Sequence, residues 1–286
     1  MLSYNDARMI LPDGGLRTRF QASAGVTAMR KRPEADATQV SQVLFGEIVS
    51  LHHESGEYAL VQSELDNYVG WVLVEALSAP VLMPTHRIIT SRLHTYSEPS
   101  VTAAANFVLG RGATLTATGD RDGRYLRFER AGWIAEHLVA PISDLETDPA
   151  SVAEQLAGTP YLWGGRDCLG IDCSGLIQIA FGACGVRAPR DSDMQGAWFG
   201  EEIPDWRAPN ALRRSDLIFW KGHVGMMLDG DTLLHSNGTF MTTMAEPLAP
   251  AIERIAREYG EPIGARRIEL SKSVGARPAW LIPPQA

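Results

Sequence analysis

Two textures of hydrophobic patterning divide the chain. Up to about residue 142, short stretches of alternating apolar and polar residues lie between Gly, Asp and Ser clusters, which is the period-two signature of half-buried strands joined by tight turns. The pattern also recurs. LFGEIVSLHHESGEYALVQ at 44–62, followed by YVGWVLVEAL at 68–77, parallels VLGRGATLTATGDRDGRYLRF at 108–128, followed by AGWIAEHLVA at 131–140. In each copy a Gly-punctuated strand leads to a turn, then to a strand holding Tyr58 or Tyr125, then to a closing Gly-Trp strand at Trp71 or Trp133. The first copy carries the extra residues SELDN before its Trp. Two small β-barrels are expected, the first with the N-terminal segment in 1–80 and the second in 81–145.

PISDLETDPA at 141–150 has linker composition and ends in a helix start, with Pro149 at the first helical position. From 146 to 286 the texture changes. Helices are expected near 149–157, 172–184 and 247–258, with a loop-rich span at 186–214. Strands are expected at LIFW 217–220, HVGMML 223–228, TLLHS 232–236 and GARRIEL 264–270. Helices and strands are grouped rather than alternating, so the third unit reads as α+β.

Chemistry enters with the helix at 172–184. Cys173, Leu176, Ile177, Ala180, Phe181 and Cys184 form one helical stripe, Asp172 stands at the N-cap position and Gly185 at the stop. Cys173 then occupies the first turn, where unpaired N–H groups and the positive end of the helix dipole favour a thiolate. Cys184, at the far end of the stripe, reads as a core residue, and Cys168 as a bystander in the preceding loop. A zinc site through Cys168 and Cys173 lacks a second closely spaced pair, so no metal or other cofactor is expected. Ser192 and Gln195 have capping-box spacing and are expected to start a helix.

A cysteine nucleophile needs a base and a group that orients the base. Of seven histidines, five fall in the repeat half in polar or strand-edge settings. His223 and His235 fall in the third unit, on neighbouring strand candidates joined through Asp229-Gly230-Asp231. They face one side only if the connecting loop has an odd number of residues, and that odd loop is expected.

Composition narrows the class. The chain has 286 residues, 45% apolar and 21% charged, with 26 basic and 34 acidic side chains and a net charge of −8. That excludes disorder, and the acidic balance argues against nucleic-acid binding. Three cysteines are too few for a disulfide scaffold. No signal-like start and no apolar run of membrane-spanning length is seen, so no membrane partner and a cytoplasmic location are expected. A monomer is the default expectation.

DCSGL at 172–176, HVGM at 223–226 and LLHSNG at 233–238, in that order, resemble the catalytic blocks of NlpC-type papain-like cysteine peptidases of bacterial cell walls. YLWGG at 161–165, PRDSDMQ at 189–195 and SDLIFW at 215–220 resemble further family blocks, and the two repeats resemble bacterial SH3-type domains. One departure is Ser215, where the family usually has Gly. The resemblance implies a papain-like α+β peptidase domain behind two SH3-like barrels. It also implies Cys173 as nucleophile, His223 as general base and acid, and His235 as the orienting residue. Asp172 and Ser174 would flank the substrate. The implied substrate is a murein stem peptide cut between γ-D-glutamate and the diamino acid, free L-Ala-γ-D-Glu-diamino acid fragments in particular. For the free amine of such fragments, Glu47 and Tyr68 of the first barrel are the candidates. A papain-like acyltransferase or amidase, or an inert wall-fragment binding protein, are the alternatives.

Overall fold

The computed structural model describes residues 6–12 and 17–281. The chain folds as two compact units. One comprises Asn5–Asp144 together with Arg166–Cys168, and the other Leu145–Gly165 with the chain from Leu169 onward.

In the barrel unit the repeat is realised strand for strand. Ile48–Ser55, Tyr58–Ser63 and Val69–Leu73 pair as an antiparallel meander, with Leu60 opposite Trp71. Ala117–Asp122, Tyr125–Phe128 and Gly132–Ala135 do the same, with Arg127 opposite Trp133. Each meander is followed by one turn of 3-10 helix, Val74–Ala76 and Glu136–Leu138. Both barrels lie within this one compact unit. Phe45 of the first barrel packs in the core of the second, with Ile88, Leu93, Leu109, Leu115, Phe128 and Ile134. Gly46 has φ +84°, and a Cβ there would lie 2.1 Å from the Thr114 carbonyl oxygen. Only glycine allows that approach between the barrels.

The second unit is α+β. Its six-stranded antiparallel sheet runs in the order Glu201–Glu202, Gly264–Arg267, Leu217–Trp220, His223–Met227, Thr232–Asn237, Thr242–Pro247. The helices are α1 (Pro149–Glu154), α2 (Cys173–Ala183), α3 (Ser192–Trp198), α4 (Leu248–Tyr259) and α5 (Leu270–Ser273). Asp148 caps α1 by accepting the Ala150 N–H at 3.1 Å. Nearly every residue of α2 is buried, so the stripe read from the sequence belongs to a helix enclosed all round. The α4 face of the sheet closes over Trp206, Ile218, Trp220, Met227, Leu233, Ala251 and Ile255.

The last strand, Thr242–Pro247, was not expected from its sequence. Its residues TTMAEP show no clean alternation, and it forms because Asn237 and Thr242 close a turn onto the preceding strand. Ser215 adopts φ +70°, the left-handed region that favours glycine, which is why that position ordinarily carries one. Here the Ser215 N–H bonds the Met227 carbonyl at 2.8 Å. No described helix is long and apolar enough to cross a membrane.

Candidate active site

The nucleophile position is built from its backbone outward. The Asp172 N–H bonds the Gly165 carbonyl at 3.1 Å, and its own carbonyl accepts the Leu176 N–H as the first bond of α2. Its carboxylate caps the helix. Oδ1 accepts the Gly175 N–H at 2.7 Å and Oδ2 accepts the Gly164 N–H at 2.9 Å. Arg190, 1% exposed at its side chain, donates to both carboxylate oxygens at 2.7 and 3.1 Å and to Ser174 Oγ at 3.0 Å. Ser174 Oγ donates in turn to Asp172 Oδ1 at 3.2 Å. Asp172 and Ser174 thus flank Cys173 as members of one buried ionic network.

Gln195 joins the same region. It does not complete the expected capping box with Ser192. Asp191 is the N-cap of α3 and makes no side-chain cap bond, while Gln195 Nε2 donates to the carbonyls of Ser174 and Pro189 at 3.0 and 2.8 Å. Gln195 is fully buried, and its amide NH2 group finds these backbone acceptors instead of the helix start.

Cys173 is buried and free. Burial, then the Asp172 carboxylate, pushes its thiol up to about 12, against the backbone N–H groups of Val224 and Ser174 and the Arg190 guanidinium, which pull it down. The resting sulfur is therefore a thiol, and it needs a base at the moment of attack. Its bond to the Val224 N–H sets the sulfur beside the backbone of the residue that follows His223.

The two histidines come from adjacent strands. Met226 pairs with Leu234 and Met227 with Leu233, and the Leu228 N–H closes on the Thr232 carbonyl. Asp229, Gly230 and Asp231 remain as a three-residue loop, the odd number that puts His223 and His235 on one face. Asp229 fixes the loop by accepting the Asp231 and Thr232 N–H groups at 2.8 and 2.7 Å. His223 Nε2 and His235 Nδ1 lie 2.8 Å apart. Ser236 Oγ donates to the Ile171 carbonyl at 2.7 Å, which ties the His235 strand to the chain two residues ahead of Cys173. Trp220 and Tyr259 bracket the His223 ring at 5.7 and 6.2 Å between centroids. Burial, reinforced by His235 and Arg254, holds His223 well below the ordinary histidine value, so it is a neutral base.

Two neighbours of the site escaped the sequence reading. Burial, then the charges of Cys173 and Asp172, raises the Tyr161 hydroxyl, which stays protonated. Its motif, YLWGG, was visible, but not its role. The other is Glu246, 2.7 Å from His235 Nε2, on the strand the sequence did not announce.

Glu47 and Tyr68 belong to the barrel unit. Glu47 is paired with Arg166 at 2.9 and 3.0 Å and also accepts the Leu44 N–H at 2.9 Å. Tyr68 is 5% exposed. Cys168, also in that unit, is raised to about 12 by burial and by Asp167, and Cys184 is fully buried core.

Residues 158–251 match the NlpC/P60 family, and residues 29–77 match the bacterial dipeptidyl-peptidase SH3 domain. The gamma-D-glutamyl-L-lysine dipeptidyl-peptidase of Bacillus subtilis (strain 168) is 26% identical over 230 residues, covering 70% of this chain and 72% of its own. Dipeptidyl-peptidase 6 of Lysinibacillus sphaericus is 25% identical over 233 residues, 72% of this chain and 82% of its own. A crystal structure of an NlpC/P60 family protein from Bacillus cereus ATCC 10987 superposes with a TM-score of 0.74 at 19% identity, over 87% of this chain and 99% of that one, a likeness of fold.

Proposed function

We propose that this chain, a hydrolase of the NlpC/P60 family that acts on peptidoglycan peptides, releases a dipeptide from the amino end of free stem peptides by cutting the γ-D-glutamyl-diamino acid bond. The observation that carries the reading is a buried thiol at a helix N-terminus, bonded beside a neutral histidine that a second histidine orients.

The chemistry is acyl transfer. His223 takes the Cys173 proton as sulfur attacks the scissile carbonyl. The developing oxyanion lies at the start of α2, where the Cys173 N–H has no preceding turn to bond and the Tyr161 hydroxyl is a donor. His223 then protonates the leaving amine of the diamino acid, and water hydrolyses the thioester with His223 again as base. His235 Nδ1, 2.8 Å from His223 Nε2, keeps the His223 proton on Nε2.

Two observations support a dipeptidyl-peptidase over an endopeptidase. Two relatives that cover 70% and 72% of this chain carry that name, and the barrel segment matches the SH3 domain described for such enzymes. An enzyme that counts two residues from an amino terminus requires that terminus to be free. This reading does not rest on Glu47, whose carboxylate is already held by Arg166 and the Leu44 N–H.

The test compares L-Ala-γ-D-Glu-diamino acid peptides with a free or an acetylated amine. Free peptides should be cut at least a hundredfold faster by kcat/KM, and Cys173→Ala should abolish turnover on both. Equal rates on free and blocked peptides would remove the dipeptidyl reading, and turnover by Cys173→Ala would remove the nucleophile.

A further inference from the structure

The orienting histidine is itself oriented. His235 lies opposite Met244 in the last strand pair, which puts Glu246, two residues on, on the same face as a diagonal neighbour. Its Oε1 is 2.7 Å from His235 Nε2, with the carboxylate side chain 13% exposed and the histidine wholly buried. From α4, Arg254 pairs with the same Oε1 while its guanidinium sits 4.8 Å above the Phe240 ring and 3.4 Å from Thr239 Oγ1.

These contacts determine where the protons are. The hydrogen bond from His235, with the Arg254 guanidinium beside it, holds Glu246 below the ordinary glutamate value, so it is a carboxylate and can only accept. Asn237 offers a competing assignment, because its Nδ2 is 3.2 Å from the same His235 nitrogen and its Oδ1 is fixed by the Phe240 N–H at 2.9 Å. If Nε2 were bare to receive the Asn237 donor, its lone pair would face a carboxylate oxygen at 2.7 Å with no proton between them. The shorter, charged contact therefore decides, and Nε2 carries the hydrogen. With its ring hydrogen on Nε2, His235 has Nδ1 bare and accepts from His223 Nε2–H at 2.8 Å, which leaves His223 Nδ1 as the basic nitrogen.

We propose that Glu246, held by Arg254, is a fourth, positioning residue of this site, setting the tautomer of His235 and through it the tautomer and basicity of His223. This rests on the assignment of Cys173, His223 and His235 made above. When His223 becomes an imidazolium during attack, the Glu246 charge two bonds along stabilises it, and Arg254 prevents the carboxylate from taking the proton. The charged and titratable groups around the relay are Arg254 from α4, Tyr259 from the same helix, and Cys173 with Asp172 from the start of α2.

The experiment uses the full chain, wild type and with Glu246→Ala or Glu246→Gln, assayed on free stem tripeptide across pH, with ¹⁵N NMR of the histidines. Glu246→Ala should lower kcat about ten- to a hundredfold with KM within about twofold, less than loss of a whole triad member. His235 should lose its Nε2–H preference. Glu246→Gln keeps a carbonyl acceptor and should recover part of kcat. Removing a negative charge lowers the pKa of both His223 and the thiol, so both limbs of its kcat/KM profile should move to lower pH. A folded Ala variant with wild-type kcat and unchanged histidine tautomers would overturn the proposal. Should Ala fail to fold, Gln with an unshifted pH profile would do the same. Cys173→Ala is the control: turnover by that variant defeats the underlying site, whereas an inactive Cys173→Ala beside wild-type-like Glu246 variants defeats this proposal alone.

Discussion

Removing Arg190 should loosen the start of α2 more than any surface substitution could. The side chain is 1% exposed and contributes two charged hydrogen bonds to Asp172 and one to Ser174. With Met in its place the guanidinium is lost but similar volume is kept, so the cost is electrostatic rather than a cavity. Asp172 keeps its bonds from the Gly164 and Gly175 N–H groups, yet its charge stays buried with no cation against it. Leaving one member of a buried pair alone costs about 3–5 kcal/mol.

The readout must belong to the C-terminal unit, since a two-unit chain has no single unfolding free energy. Amide exchange in α2 provides it. At about 1.4 kcal/mol per tenfold, the slowest α2 amides should exchange about 10²- to 10⁴-fold faster in Arg190→Met than in wild type. The double variant Asp172→Asn with Arg190→Met removes both charges and should exchange more slowly than the sum of the two single effects requires, by more than about 1 kcal/mol of coupling. If Arg190→Met changes α2 exchange by less than tenfold, or the double variant is simply additive, the ionic network is not what holds the nucleophile turn.

Two further outcomes are expected. His223 is held neutral below its unfolded value of about 6.5, so the stability it contributes is complete above pH 6.5 and falls by up to about 1.4 kcal/mol per unit as pH drops from there towards its depressed folded value. The acid limb of kcat/KM should fall below pH 6.5 as well, and His223→Gln should flatten the stability slope; a slope unchanged in that variant would contradict the assignment. For Gly225→Ala, the new Cβ would meet Leu233 Cδ1 at 2.6 Å and His235 Cβ at 3.3 Å, displacing the ring that orients His223. Unit stability should drop by about 1–3 kcal/mol and kcat by tenfold or more, and wild-type kcat would show that His235 tolerates the shift.

What could be read from the residues alone follows a physical division. Cys173 was legible because helix caps and apolar stripes are local, needing only Asp172 before it and Leu176, Ile177 and Ala180 after it. The shared face of His223 and His235 was legible because strand parity is arithmetic, and Asp229-Gly230-Asp231 closes as the odd loop that arithmetic required. Glu246 was invisible because it lies eleven residues beyond its partner His235, on a strand whose own sequence has no clean alternation, and its Arg254 anchor comes from a helix the pattern found without saying which side faces the site. Ser192 and Gln195 had the spacing of a capping box, but the buried Gln195 amide donates to the carbonyls of Ser174 and Pro189, contacts distant in sequence that local spacing does not encode. The same limit applies in the barrel unit. Glu47, which the resemblance offers as the anion for a free amine, has its carboxylate paired with Arg166, 3% exposed at its side chain, a partner 119 residues away that no local pattern announces.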